Sequence, residues 1–167
     1  LEILNFDDFN YKIRGNRIII SPINEWPNFD VIKVKLSRKI SDFHDNMMLS
    51  PLQLFYFTKS FKSNKMIEGS IINFNSYLFE LGLYKIDSNK YNLIEKTQSD
   101  HLGNFNFSYL AQGNYIVAAV EDRIENIKYD IRKKTYGFIN EDYIDLFNQD
   151  TVFVSIKVDH LIFELER

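Results

Sequence analysis

Ser99-Asp-His-Leu-Gly-Asn-Phe-Asn-Phe-Ser-Tyr-Leu-Ala-Gln-Gly-Asn-Tyr-Ile-Val-Ala-Ala-Val-Glu-Asp122 is the stretch on which the fold is decided. Asp100 and Gly103 supply a tight turn, because glycine enters positive φ at no steric cost and aspartate bonds its own backbone two residues on. Phe105 and Phe107 then alternate on one parity, the period of a half-buried strand. Leu110 closes the pocket under the following loop, Gly113 frees the backbone, and Tyr115 enters a second apolar strand that runs to Glu121. Two short strands joined by glycine-bearing turns set the expectation for the rest of the chain.

Working outward, the same strand signal recurs at Met66 to Phe74, Tyr77 to Ile86, Tyr91 to Lys96 and Thr151 to Val158. Upstream, Tyr11 to Arg14 and Arg17 to Ser21 flank Gly15-Asn16, a hairpin pattern. Val31 to Leu36 reads as a strand with one buried face, and Leu52 to Thr58 as another. The polar stretch from Lys59 to Lys65 reads as a linker, and Asn140 to Phe147 as a helical turn. Residues 1–60 and 64–160 are therefore expected to form two β-rich portions, with 161–167 as an extension.

Composition agrees. A chain of 167 residues, 45% hydrophobic and 16% aromatic, can bury a core without staples. Formal charge is −3 with acids and bases interleaved, so neither an electrostatic footprint for nucleic acid nor a polybasic membrane patch is expected. Absence of cysteine excludes disulfides, thiolate metal sites and a cysteine nucleophile. No apolar run reaches the roughly 18 residues of a membrane-spanning helix. The chain begins with Leu1, so a signal or lipid-attachment segment can precede it.

The Ser99–Asp122 run resembles prealbumin-like modules of the CnaB and carboxypeptidase-regulatory type, whose pattern is a turn Asp, a Gly, an aromatic strand, "L-x-x-G-x-Y" and an apolar strand. Met66-Ile-Glu-Gly-Ser-Ile-Ile72 is similar to their opening "I-x-G-x-V" strand. Ile18-Ile-Ile-Ser-Pro22, Val31 to Leu36, Ile40-Ser-Asp-Phe-His-Asp-Asn46 and Phe55-Tyr-Phe-Thr58 resemble the second half of a bacterial Ig-like domain, with Asp45 where its glycine usually stands. The resemblance implies an all-β chain of tandem β-sandwiches, an incomplete Ig-like portion followed by a prealbumin-like one. With the "E-D-x-x-x-N-x-x-Y-D" of residues 121–130 and Gly137-Phe138, it is similar to Ig-like-domain envelope lipoproteins of Gram-negative bacteria. Those imply a non-catalytic structural or protein-interaction subunit of a membrane-associated complex, in the periplasm or on the outer membrane, with a lipid anchor outside the given sequence. An incomplete sandwich leaves strand edges open, so Arg17 to Ser21 or Leu52 to Thr58 is expected to pair with another chain or a missing segment.

Asp122, Asn126 and Asp130 have the alternating oxygen donors of a calcium loop, which related modules carry there, but Ile124 stands at a ligand position and no glycine makes the sharp turn. A solvated loop and no cofactor is the reading. His44 with Asp42 and Asp45, and His101 with Asp100, pair imidazole and carboxylate, yet no nucleophile motif accompanies them. His160 reads as a surface residue, and three dispersed histidines lack zinc spacing. Among the aromatics, alternation puts Phe55, Phe57, Phe105, Phe107 and Phe153 at packing positions, whereas Trp26 and Tyr136 lie in expected loops and Phe55 and Tyr56 stand on an expected open strand, and these four are the candidate partner-binding residues. The alternatives are a carbohydrate-binding module, which needs a row of exposed aromatics on one sheet face, and a regulatory module of a peptidase or transporter.

Overall fold

In the computed structural model, which describes residues 2–4, 6–26, 31–57, 64–72, 78–88, 90–122 and 135–160, every regular element among the described residues is a β-strand. The chain is all-β, as its β-branched and aromatic content requires. The strands expected from Tyr11 onward all begin within two residues of the alternating pattern. They include β2 (Phe9–Arg14), β3 (Arg17–Pro22), β4 (Ile32–Leu36), β5 (Leu52–Tyr56), β7 (Leu78–Asp87), β9 (Asn104–Leu110) and β10 (Asn114–Asp122). The strands β6 (Lys65–Ile72), β8 (Lys90–Gln98) and β13 (Thr151–His160) also stand where the pattern places them. Three elements carry no such signal: β1 (Glu2–Leu4), β11 (Thr135–Ile139) and β12 (Ile144–Asp145). The last corrects the helical turn expected over 140–147, since Ile144 and Asp145 pair instead with Tyr115 and Asn114 of β10.

Two compact units divide the chain, and each is discontinuous in sequence. One takes Leu1–Leu36 and Leu52–Lys62, the other Ser37–Pro51 and Ser63–Arg167. Most of the expected linker and the segment 161–167 lie outside the described residues.

In the larger unit the strands run in the order β8-β7-β10-β11-β13-β6-β9. Neighbours are antiparallel except β6 and β13, which pair in parallel. One face of these strands supplies a single core of Ile67, Ile71, Phe79, Leu81, Leu83, Phe105, Phe107, Tyr115, Val117, Ile156 and their neighbours, so the sheet folds over its own inner face. Alternation sets that face in β13 as Val154, Ile156 and Val158. Phe153 sits on the opposite parity and is 74% exposed, which corrects the packing role expected for it.

Three local devices hold this unit. Tyr115 is buried, and its hydroxyl donates to the Ala111 carbonyl at 2.8 Å, tying the L-x-x-G-x-Y loop to the start of β10 in the manner of a tyrosine corner. Gly69 faces Phe105 on β9 and Val154 on β13, and a Cβ there would lie 2.5 Å from the Phe105 ring and 2.6 Å from the Val154 carbonyl. The glycine of the Met66–Ile72 motif is thus demanded by close approach of a ring and a neighbouring backbone. Tyr109 is the extra residue of a bulge, because Lys65 pairs with Leu110 while Met66 pairs with Ser108, and its φ is +56°.

In the smaller unit β1, β4 and β5 form a three-stranded antiparallel sheet, and β2 and β3 form a separate hairpin closed at Gly15-Asn16. Ile3, Ile32 and Val34 make its core, with Phe6, Phe9 and Ile20 packed against them. The single buried face expected for β4 is corrected here. It is the central strand, Lys33 and Lys35 are only 4% and 6% exposed, and neither is without a partner.

Candidate functional site

The imidazole–carboxylate neighbours sit in two loops of one design. In 42–46, Asp42 Oδ1 accepts from the amides of His44 at 2.7 Å and Asn46 at 3.0 Å, while Oδ2 accepts from Asn46 Nδ2 at 3.0 Å. In 100–104, Asp100 Oδ1 accepts from Leu102 N at 2.8 Å and Asn104 N at 2.7 Å, and Oδ2 from Asn104 Nδ2 at 3.1 Å. Each aspartate amide also donates to the asparagine carbonyl that closes its loop. In the first loop these bonds, the side-chain amide of Asn46 above all, hold the Asp42 carboxyl below the ordinary carboxylate range. Both carboxylates are committed to their own backbone, which is a structural role. The His44 ring meets the edge of Phe43 at a centroid distance of 5.5 Å.

Arg38 joins the two loops. Its Nε donates to Met48 O at 3.1 Å and its NH1 to Ser99 O at 3.2 Å, while its amide and the Ser37 hydroxyl both reach Gln98 Oε1 at 2.9 Å. The His101 amide completes the seam by donating to Leu49 O at 2.8 Å. Partial burial lowers the Arg38 guanidinium below its ordinary value, with the Asp100 charge acting against that shift.

Of the calcium candidates, Asp122 is the last residue of β10, and Asn126 and Asp130 lie outside the described residues. Next to Asp122, Glu121 is fully buried and its Oε2 accepts from the Thr135 amide at 3.0 Å. Among the described residues no group of three or more His, Asp or Glu side chains could hold a metal ion.

The aromatic candidates fall in different settings. Trp26 lies beyond β3 and packs against Phe6, centroids 5.5 Å apart. Tyr136 corrects its expected loop position: it is the second residue of β11, half-buried, with Phe138 at 6.4 Å. Phe55 is half-buried in β5 and Tyr56 is exposed beside it. β5 pairs only with β4, so among the described residues its outer edge has no strand, and the hairpin edges of β2 and β3 are likewise open.

Register then exposes a feature that alternation alone could not assign. Leu52, Leu54 and Tyr56 lie opposite Leu36, Val34 and Ile32, so they share the face on which Ile32 and Val34 are buried. Yet Leu52 and Leu54 are each 39% exposed and Tyr56 is 56% exposed. The core layer of the smaller unit covers its central strand and stops short of its edge strand.

A second surface lies on the outer face of the larger sheet. Tyr84 pairs with Leu93 and Ile116, Tyr91 with Ile86, Phe138 with Ala118 and Tyr136 with Val120, all on the face opposite the core residues Leu83, Val117 and Ala119. The apolar residues of both faces had read alike in sequence, and only the ladder separates them. No protein-family model, curated protein or solved structure matches this chain.

Proposed function

We propose that the chain is a non-catalytic β-sandwich protein that acts as a structural or protein-interaction subunit, in the cell envelope as part of a larger membrane-associated complex. The observation that carries the interaction role is the uncovered edge of the smaller unit. Leu52, Leu54 and Tyr56 continue the face of a buried core, on a strand whose outer edge is paired with no other strand among the described residues. A strand added beside β5 would extend the sheet and cover the apolar row at once, which is the logic of β-augmentation. The envelope setting and a lipid anchor rest on the resemblance to Ig-like and prealbumin-like modules.

The test is affinity purification of the full-length protein from gently solubilised envelope, in parallel with a Leu54→Lys, Tyr56→Lys variant. A stoichiometric membrane partner retained by the parent chain and lost from the variant supports the reading. Recovery of the parent chain alone, or equal recovery of the partner with both chains, overturns it.

Carbohydrate binding is the second reading, and the outer face bearing Tyr84, Tyr91, Tyr136 and Phe138 favours it. Aromatic rings on one sheet face offer stacking surfaces to sugar rings. Calorimetric titration with oligosaccharides, repeated on Tyr91→Ala and Phe138→Ala, decides it: heat lost in both variants supports this face, and no heat from the parent chain removes it.

A further inference from the structure

The β2–β3 hairpin carries a second, independent surface, and its two faces differ in kind. Cross-strand pairs put Phe9 with Pro22, Tyr11 with Ile20 and Ile13 with Ile18 on one face, and Lys12 with Ile19 and Arg14 with Arg17 on the other. At the base the apolar face is used, since Phe9 and Ile20 pack on the small core. Toward the tip it is not: Tyr11 is 56% and Ile13 67% exposed, Ile18 is exposed beside them, and Ile19 is exposed on the opposite face.

Charge along this element is one-sided. Residues 9–22 hold Lys12, Arg14 and Arg17 and no acid, although the whole chain is net negative. Among the described residues no carboxylate pairs with these cations. Arg14 and Arg17 lie directly opposite each other, an arrangement that costs repulsion and that an anionic neighbour relieves.

We infer that the tip of this hairpin, residues 11–19, binds an anionic lipid surface. Tyr11, Ile13 and Ile18 enter the boundary between headgroups and acyl chains, and Lys12, Arg14 and Arg17 reach lipid phosphates along their flexible stems. A bilayer fits better than a folded acidic protein because apolar side chains stand on both faces of the tip, Ile19 among the cations and the others opposite. A headgroup layer surrounds a narrow hairpin, whereas a protein surface covers one side. Acidic residues at the hairpin's ends, Asp7, Asp8 and Glu25, are all at its base, away from the tip.

The experiment uses the whole chain with vesicles of phosphatidylcholine alone and of phosphatidylcholine mixed with phosphatidylglycerol. The chain has no cysteine, so Ile13→Cys carries a single environment-sensitive dye at the tip. Sedimentation with the anionic vesicles, falling with salt, and a blue shift of the dye are expected. Replacing Lys12, Arg14 and Arg17 by serine weakens binding on the order of a hundred-fold, at about five-fold per cation near a charged membrane. Ile13→Ser with Ile18→Ser, which keeps every charge, also releases the chain. Equal binding to both vesicle types, no binding, an unshifted dye, or variants that bind like the parent overturn the inference. So does capture of an acidic protein by the tip in place of vesicles. All five positions are exposed, so the variants keep the fold, and circular dichroism verifies that.

Discussion

Asp42 and Asp100 sit at the same position of two loops with the same hydrogen bonds, each carboxylate gathering the amide two residues on, the amide four residues on and the asparagine side chain. The loops differ at the residue before the asparagine: Gly103 has φ +82°, whereas Asp45 holds φ +61° with a side chain attached. A left-handed residue other than glycine costs about 1 kcal/mol, less what glycine loses in chain entropy. Asp45→Gly is therefore expected to stabilise the protein by about 0.5 kcal/mol, and Gly103→Ala to destabilise it by about 1 kcal/mol. Urea denaturation of both variants checks the opposite signs.

Arg38→Ala removes two donors that hold Met48 O and Ser99 O, and so opens the seam between the two loops. Hydrogen bonds from a charged donor are worth about 2 kcal/mol together after partial exposure is allowed for. The loss is local. Hydrogen exchange at the His101 amide, which donates to Leu49 O, should accelerate while core amides such as Val117 keep their protection.

Tyr115→Phe keeps the buried ring and deletes the bond to Ala111 O, at an expected cost of about 1 kcal/mol. Burial raises the Tyr115 phenol above its ordinary value. A folded-state value above the unfolded one means that the contribution is whole below about pH 10 and is lost as pH climbs through the raised value. Thermal melts from neutral to strongly alkaline pH should fall more steeply for the parent chain than for Tyr115→Phe.

Gly69→Ala should cost about 2 kcal/mol, because the new methyl meets the Phe105 ring and the Val154 carbonyl together. The ring can turn aside, but the carbonyl belongs to the parallel ladder with β13 and cannot. A double variant with Phe105→Leu should recover only part of the loss in chemical denaturation, and full recovery would show that the ring alone was responsible.

By itself the sequence determined what is local. Alternation placed ten strands to within a few residues, and the Asp, Gly and Asn of the turns, together with L-x-x-G-x-Y, specified loops whose bonds span four residues or fewer. Such features depend on neighbours in the chain and are written there directly. Tertiary structure decided which of two alternating faces is covered. It left Phe153 in solvent, buried Lys33 and Lys35, and left Leu52, Leu54 and Tyr56 uncovered beside a buried core. It also placed 37–51 in the same compact unit as the second half of the chain, through Arg38 and Gln98, and brought β6 alongside β13 in parallel. Period-2 patterning defines two faces but not their surroundings. Burial is a collective property of strand order and layer size, set only when residues far apart in sequence meet.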